Sequence, residues 1–235
     1  MRLIQVADAA RYPRMTTEEL RTAFLVDGLF QPGCIDLVYI DLDRTVVGSA
    51  VPLAAPLTLE TDPDLRADYF TERREIGVLN IGGPGAVSVN GDSYRLAARD
   101  ALYIGRGNES VVFSSDDASN PAEFYLLSYP AHAGYPVAKI EAAMAQPTEL
   151  GSSATANQRS IRRLIHLDGA RSSQVVMGFT EMSPGSVWNT MPPHTHMRRS
   201  EVYLYFDLPA NDRVVHLMGP AQETRHLVVA NKQVV

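Results

Sequence analysis

The chain has 235 residues, 45% of them hydrophobic and 20% charged, which is enough for one large or two small packed domains and too apolar for a disordered chain. Its formal net charge of -6 removes any global attraction for nucleic acid or an anionic membrane, so an anionic substrate needs a local basic pocket. The single cysteine, Cys34, excludes an internal disulfide and a cysteine-rich zinc site; the opening residues lack the apolar run of a signal peptide, no stretch reaches membrane-spanning length, and a cytoplasmic location is the expectation.

In chain order, the first predicted element is a helix. Thr16 and Glu19 fit a capping box, Leu20 and Phe24 lie four apart, and Gly28 stands as a stop. Short apolar runs bounded by turn residues then predict strands over Ile35 to Leu42, Thr45 to Leu53 and Ile76 to Ile81. Gly82 to Gly85 joins strands rather than opening a helix, so it reads as a turn and not as a phosphate loop. Val87 and Val89, then Asn90-Gly91, then Tyr94 and Leu96 predict a hairpin with a two-residue type I′ turn. Further strands are expected over 101–104, 111–114 and 123–128, a density that suits a β-sandwich or barrel.

The stretch from Pro130 to Asn157 is rich in Pro, Gly, Ala and Ser and reads as a linker with a weak helix near Lys139 to Met144. Strands resume over 161–166, 174–181, 201–206, 214–218 and 224–230. Arg73-Arg74 precedes IGVLNI as Arg198-Arg199 precedes EVYLYF, a faint repeat that suggests two similar domains, 1–145 and 146–235. In that overlay Thr71 and Ile76 stand where His196 and Glu201 do, so only the second copy can hold a metal.

The chemistry is concentrated in PGSVWNTMPPHTHMRRSEVYLYF, from Pro184 to Phe206. On an extended segment His194 and His196 point to one face, Met197 to Ser200 can form a turn, and Glu201 follows as the next strand begins. Two imidazoles and a carboxylate meeting at one point suit zinc, iron, manganese or nickel. Glu223 is a candidate proton shuttle; Arg225 and Arg198 are candidate clamps for a substrate carboxylate, with Arg199 read as surface charge. Tyr203 and Tyr205 follow Glu201 at period two and line either the cavity or the core, whereas His216 reads as a core histidine.

Longer words carry a resemblance. RTAFLVDGLF, YFTERREIGVLNIGGPG, RDALYIGRG, VWNTMPPHTHMRRSEVYLYF and GPAQETRHLVV occur in the order of the 5-keto-4-deoxyuronate isomerase family, and His194-x-His196-x4-Glu201 resembles the first cupin motif. The likeness runs from about Arg21 to the last residue. It implies an all-β fold of two cupin-like barrels with a few short helices. It also implies one Zn2+ per subunit on His194, His196 and Glu201, an anionic sugar substrate, no nucleic-acid or membrane partner, and a homo-oligomer, a hexamer by resemblance.

The family's fourth ligand, a further histidine, falls beyond the segment matching Asn231 to Val235, so the expectation is of a shortened second barrel with three ligands. Aldose–ketose isomerisation by a metal-held carbonyl and a protein base then follows. The competing expectations are a 5-deoxyglucuronate isomerase, an iron cupin dioxygenase and a non-catalytic sugar-binding cupin.

Overall fold

A computed structural model describes residues 1–235. The chain is built of strands with one α-helix and four short 3-10 turns. The strands of the first half are β1 (Arg2–Ile4), β2 (Ile35–Ile40), β3 (Thr45–Ala50), β4 (Leu57–Thr58), β5 (Arg74–Asn80), β6 (Gly85–Val89), β7 (Asp92–Leu96), β8 (Ala101–Ile104), β9 (Val111–Ser115), β10 (Phe124–Pro130) and β11 (Ala138–Ile140). Those of the second half are β12 (Pro147–Leu150), β13 (Arg159–Ile165), β14 (Met177–Met182), β15 (Leu204–Tyr205), β16 (Val214–Met218), β17 (Arg225–Val229) and β18 (Gln233–Val234). Helix α1 covers Thr17–Phe24.

The first half folds into a seven-stranded sheet, in the order β1-β2-β3-β10-β5-β8-β11, facing a four-stranded sheet, β4-β9-β6-β7. Period-two alternation divides each central strand between two cores. Ile76 and Val78 of β5, with Phe124 and Leu126 of β10, face Val87, Leu96 and Phe113 between the two sheets. Leu79, Tyr125 and Leu127 point the other way, onto Leu164, Ile165, Val175, Met177 and Phe179 of the second half. Burial on both faces explains why β5 reads as the unbroken apolar run IGVL rather than as an alternation. Gly77 sits at the closest approach, where a Cβ would meet the side chains of Met177, Ile165 and Val175 at 2.9–3.0 Å.

The second half has three small sheets: β12-β13-β14, β15-β18 and β16-β17. The N-terminal residues join it. Leu20 and Ala23 of α1, with Met15 and Leu25, pack on Leu227 and Val229 of β17. Val26 bridges Val234, and the Tyr12 hydroxyl donates to the Met218 carbonyl at 2.8 Å. Contacts thus cross the expected division at 145/146 from both directions.

Two local expectations are corrected. The capping box forms as read, with Thr16 Oγ1 accepting from Glu19 N and Glu19 accepting from Thr16 N, but the helix ends at Phe24 rather than at Gly28 because Val26 is drawn into pairing with β18. The presumed linker helix near Lys139 to Met144 is instead β11 followed by a turn and β12; β11 pairs with β8 and β12 with β13. Those partners lie far along the chain, and composition carries no trace of them.

Candidate metal centre

Residues 183–203 form an exposed, irregular segment leading from β14 to β15. It is tied down at its start by Val187 N and Trp188 N, which both donate to the Ala156 carbonyl at 2.7 and 3.1 Å. The chain turns at Met197 and Arg198, and this turn brings the residues before and after it together. His196 Nε2 lies 3.4 Å from Glu201 Oε1. The rings of His194 and His196 stand edge to face with centroids 5.0 Å apart. His194 Nδ1 is 3.3 Å from the Pro192 carbonyl; a proton on Nδ1 satisfies that oxygen and leaves Nε2 as the free lone pair, the usual state of a ligating imidazole.

The donor set suits zinc in type, and one pair of it suits zinc in spacing. Nitrogen and oxygen donors at zinc's ordinary bond lengths on a tetrahedral ion lie about 3.3–3.5 Å apart. The 3.4 Å between His196 Nε2 and Glu201 Oε1 matches one edge of such a tetrahedron. No group of three His, Cys, Asp or Glu side chains gathers closely enough to enclose an ion, and His194 is adjacent to the His196–Glu201 pair rather than closed onto it.

Glu201 has two further neighbours. Arg199 donates to its Oε1 at 3.1 Å, and the Tyr203 hydroxyl donates to its Oε2 at 3.4 Å. Arg199 therefore pairs with the candidate ligand carboxylate instead of lying free on the surface; as a half-exposed ion pair it contributes at most about 1 kcal/mol. Burial pushes the Tyr203 pKa up, and the Glu201 charge adds to the effect. Tyr203 and Tyr205 stack with centroids 6.4 Å apart.

His216 is the residue that the sequence underrated. It projects from β16 into the tyrosine layer, 5.4 Å from the Tyr203 ring and 6.0 Å from the Tyr205 ring, with its Nδ1 hydrogen-bonded to the Tyr205 hydroxyl at 2.8 Å. It is half-buried rather than a core histidine. Burial lowers its pKa, opposed by the negative charge of Glu201. β16 and β15 belong to different sheets, so spacing along the chain does not reveal this pairing.

The other candidates are dispersed. Arg225 donates to the carbonyls of Tyr12, Pro13 and Met15, so its guanidinium pins the N-terminal segment and is not a free substrate clamp. Glu223 is exposed in the turn before β17, with its charge acting on the Tyr12 hydroxyl, and no contact joins it to His196 or Glu201. Arg198 is exposed beside the turn with no protein partner. A cavity of ≈ 660 Å³ lies elsewhere, bordered by Lys139, Glu141, Thr148, Arg163, His166 and Asp168.

Residues 30–235 match the KduI/IolB family. The chain is 53% identical over 219 residues to a 4-deoxy-L-threo-5-hexosulose-uronate ketol-isomerase of Formosa agariphila, covering 93% of this chain and 78% of the relative. Likewise named proteins of Halalkalibacterium halodurans and Opitutus terrae are 52% and 51% identical, covering 94% and 100% of this chain and 80% and 85% of theirs. Among solved structures, an IolB-like protein of Salmonella typhimurium LT2 superposes with a TM-score of 0.65 at 16% identity, over 90% of this chain and 83% of that one, a likeness of fold alone.

Proposed function

The chain belongs to the KduI/IolB family, and on that premise we propose that it is a 4-deoxy-L-threo-5-hexosulose-uronate ketol-isomerase, forming 3-deoxy-D-glycero-2,5-hexodiulosonate in pectin and uronate catabolism. The observation that carries the reading is identity of about half the residues over nearly the whole chain with relatives of that name. The fold reading is a pair of cupin-like barrels, 1–145 and 146–235, in a cytoplasmic homo-oligomer, a hexamer by family resemblance. No helix is long and apolar enough to cross a membrane.

In this reading His194, His196 and Glu201 hold one Zn2+ per subunit, and its chemistry when bound is Lewis-acid polarisation of the substrate carbonyl. What supports the assignment is the donor set and the 3.4 Å contact between His196 and Glu201. The remaining work falls to the protein. Tyr203 orients Glu201 through its hydroxyl. Arg198, free of other partners and beside the turn, receives the substrate carboxylate, a pairing for which a planar guanidinium is well shaped.

The test compares the full chain with His196→Ala. The parent takes up one zinc per chain and interconverts the aldose and ketose uronates. The variant loses the metal and drops turnover by about 100-fold or more. Equal zinc content and equal turnover in both would overturn the site.

A further inference from the structure

We propose that His216 is the proton-carrying catalytic residue of this site and that Tyr205 is its positioning residue. The inference rests on the ketol-isomerase reading and adds to it the group that moves the proton. Of the histidines outside the candidate ligand set, His216 alone has a place in the tyrosine layer that abuts Glu201. Tyr203 spans the gap: its ring stands 5.4 Å edge to face from His216, and its hydroxyl reaches Glu201 Oε2 at 3.4 Å. Tyr203 thus stands between the imidazole and the ligand carboxylate and touches both.

The hydrogen bond to Tyr205 engages one ring nitrogen and leaves the other free. Nδ1 is engaged at 2.8 Å, and Nε2 has no protein partner. With the proton on Nδ1 donated to the Tyr205 oxygen, Nε2 presents a lone pair. Burial pushes the Tyr205 hydroxyl well above its ordinary pKa, so it stays a neutral phenol. The same burial lowers His216 and favours the neutral imidazole that a base needs at neutral pH.

The step balances without any external oxidant. The C2–H bond of the aldose breaks and its proton passes to His216 Nε2. The electron pair forms the C1=C2 bond while the aldehyde oxygen takes the negative charge. The C2 hydroxyl proton then moves to the C1 oxygen, Nε2 returns its proton to C1, and the C2 oxygen closes to a carbonyl. The imidazole ends neutral, as it began.

Full chains of the parent, His216→Gln and Tyr205→Phe are loaded with zinc and assayed in 2H2O. His216→Gln is expected to keep its zinc and its KM within a few-fold while kcat falls by about 100-fold or more, with loss of solvent deuterium from the hydroxymethyl carbon of the product, the former aldehyde carbon. Tyr205→Phe removes one hydroxyl only; it is expected to lower kcat by about 10-fold at unchanged KM, an effect that a purely packing role would not produce. Apart from turnover, 15N-histidine spectra of the metal-free protein are expected to show the Nδ1-protonated tautomer of His216 in the parent and a changed tautomer signal in Tyr205→Phe. Parent-like kcat and deuterium incorporation in His216→Gln would overturn the inference while leaving the isomerase reading intact. A parent that holds zinc and turns over nothing would sink both.

Discussion

In the first half of the chain β3, β5 and β8 are buried at every position; in the second half no strand is. The first half closes two sheets over one dry core and offers its outer face to the second. The second half is divided among sheets of two or three strands, and its site segment exposes Met197 completely and Trp188 by 42%. Packing energy scales with the apolar area removed from water, so stability concentrates where the layers are continuous. The histidines, the carboxylate and the free arginine occupy the thinner, solvent-facing part. The division of labour is physical: a rigid double layer supports side chains that must stay accessible to a polar substrate.

The strongest test of that comparison lies at the seam. Glu75 is fully buried on β5, and its carboxylate accepts N–H groups from Ser173, Gln174 and Val175 at 2.7, 2.5 and 2.7 Å and the Tyr103 hydroxyl at 2.7 Å. A side chain of the first half thus satisfies three backbone donors of the second. Glu75→Ala leaves those donors without a partner, and the expected cost is about 3 kcal/mol or more. Calorimetry is expected to show a single transition moved down. A split into two transitions, with only the later one unchanged, would mean that the halves fold as separate bodies.

Arg225 gives the next largest effect and separates structure from catalysis. Its three hydrogen bonds to the carbonyls of Tyr12, Pro13 and Met15 fasten the N-terminal segment to β17. Arg225→Ala is expected to cost about 1–3 kcal/mol. KM for the uronate should not change, because the guanidinium is committed to backbone oxygens. A large rise in KM with unchanged stability would return Arg225 to the role of substrate clamp.

These residues also show what a sequence discloses. The Asn90-Gly91 hairpin is legible because the information is local: both residues have positive φ, 51° and 94°, in the turn between β6 and β7. The His196–Glu201 contact is legible for the same reason, since six residues around one turn decide it. β11 and β12 are hidden inside an apparent linker because their partners are distant. His216 resembles any core histidine until β16 is laid beside Tyr203 and Tyr205. The role of Arg225 is equally invisible, because the carbonyls it meets lie more than 200 residues earlier in the chain.

The smallest expected effect tests the joint between the halves from its other end. Helix α1 has eight residues, too short to be stable by itself in water, so it depends on its cap and on the contact of Leu20 and Ala23 with Leu227 and Val229. Thr16→Ala removes the side chain that accepts from Glu19 N and leaves every apolar contact in place. The expected loss is about 1 kcal/mol, or a melting temperature lower by about 2–4 °C for a chain of this size. Because α1 packs on β17 and meets the double layer only at its edge strand β1, hydrogen exchange is expected to quicken at α1 and β17 while the central strands β5 and β10 stay protected. Equal quickening in β5 would mean that the N-terminal helix supports the first half after all, and the contrast between the two regions would lose its sharpest boundary.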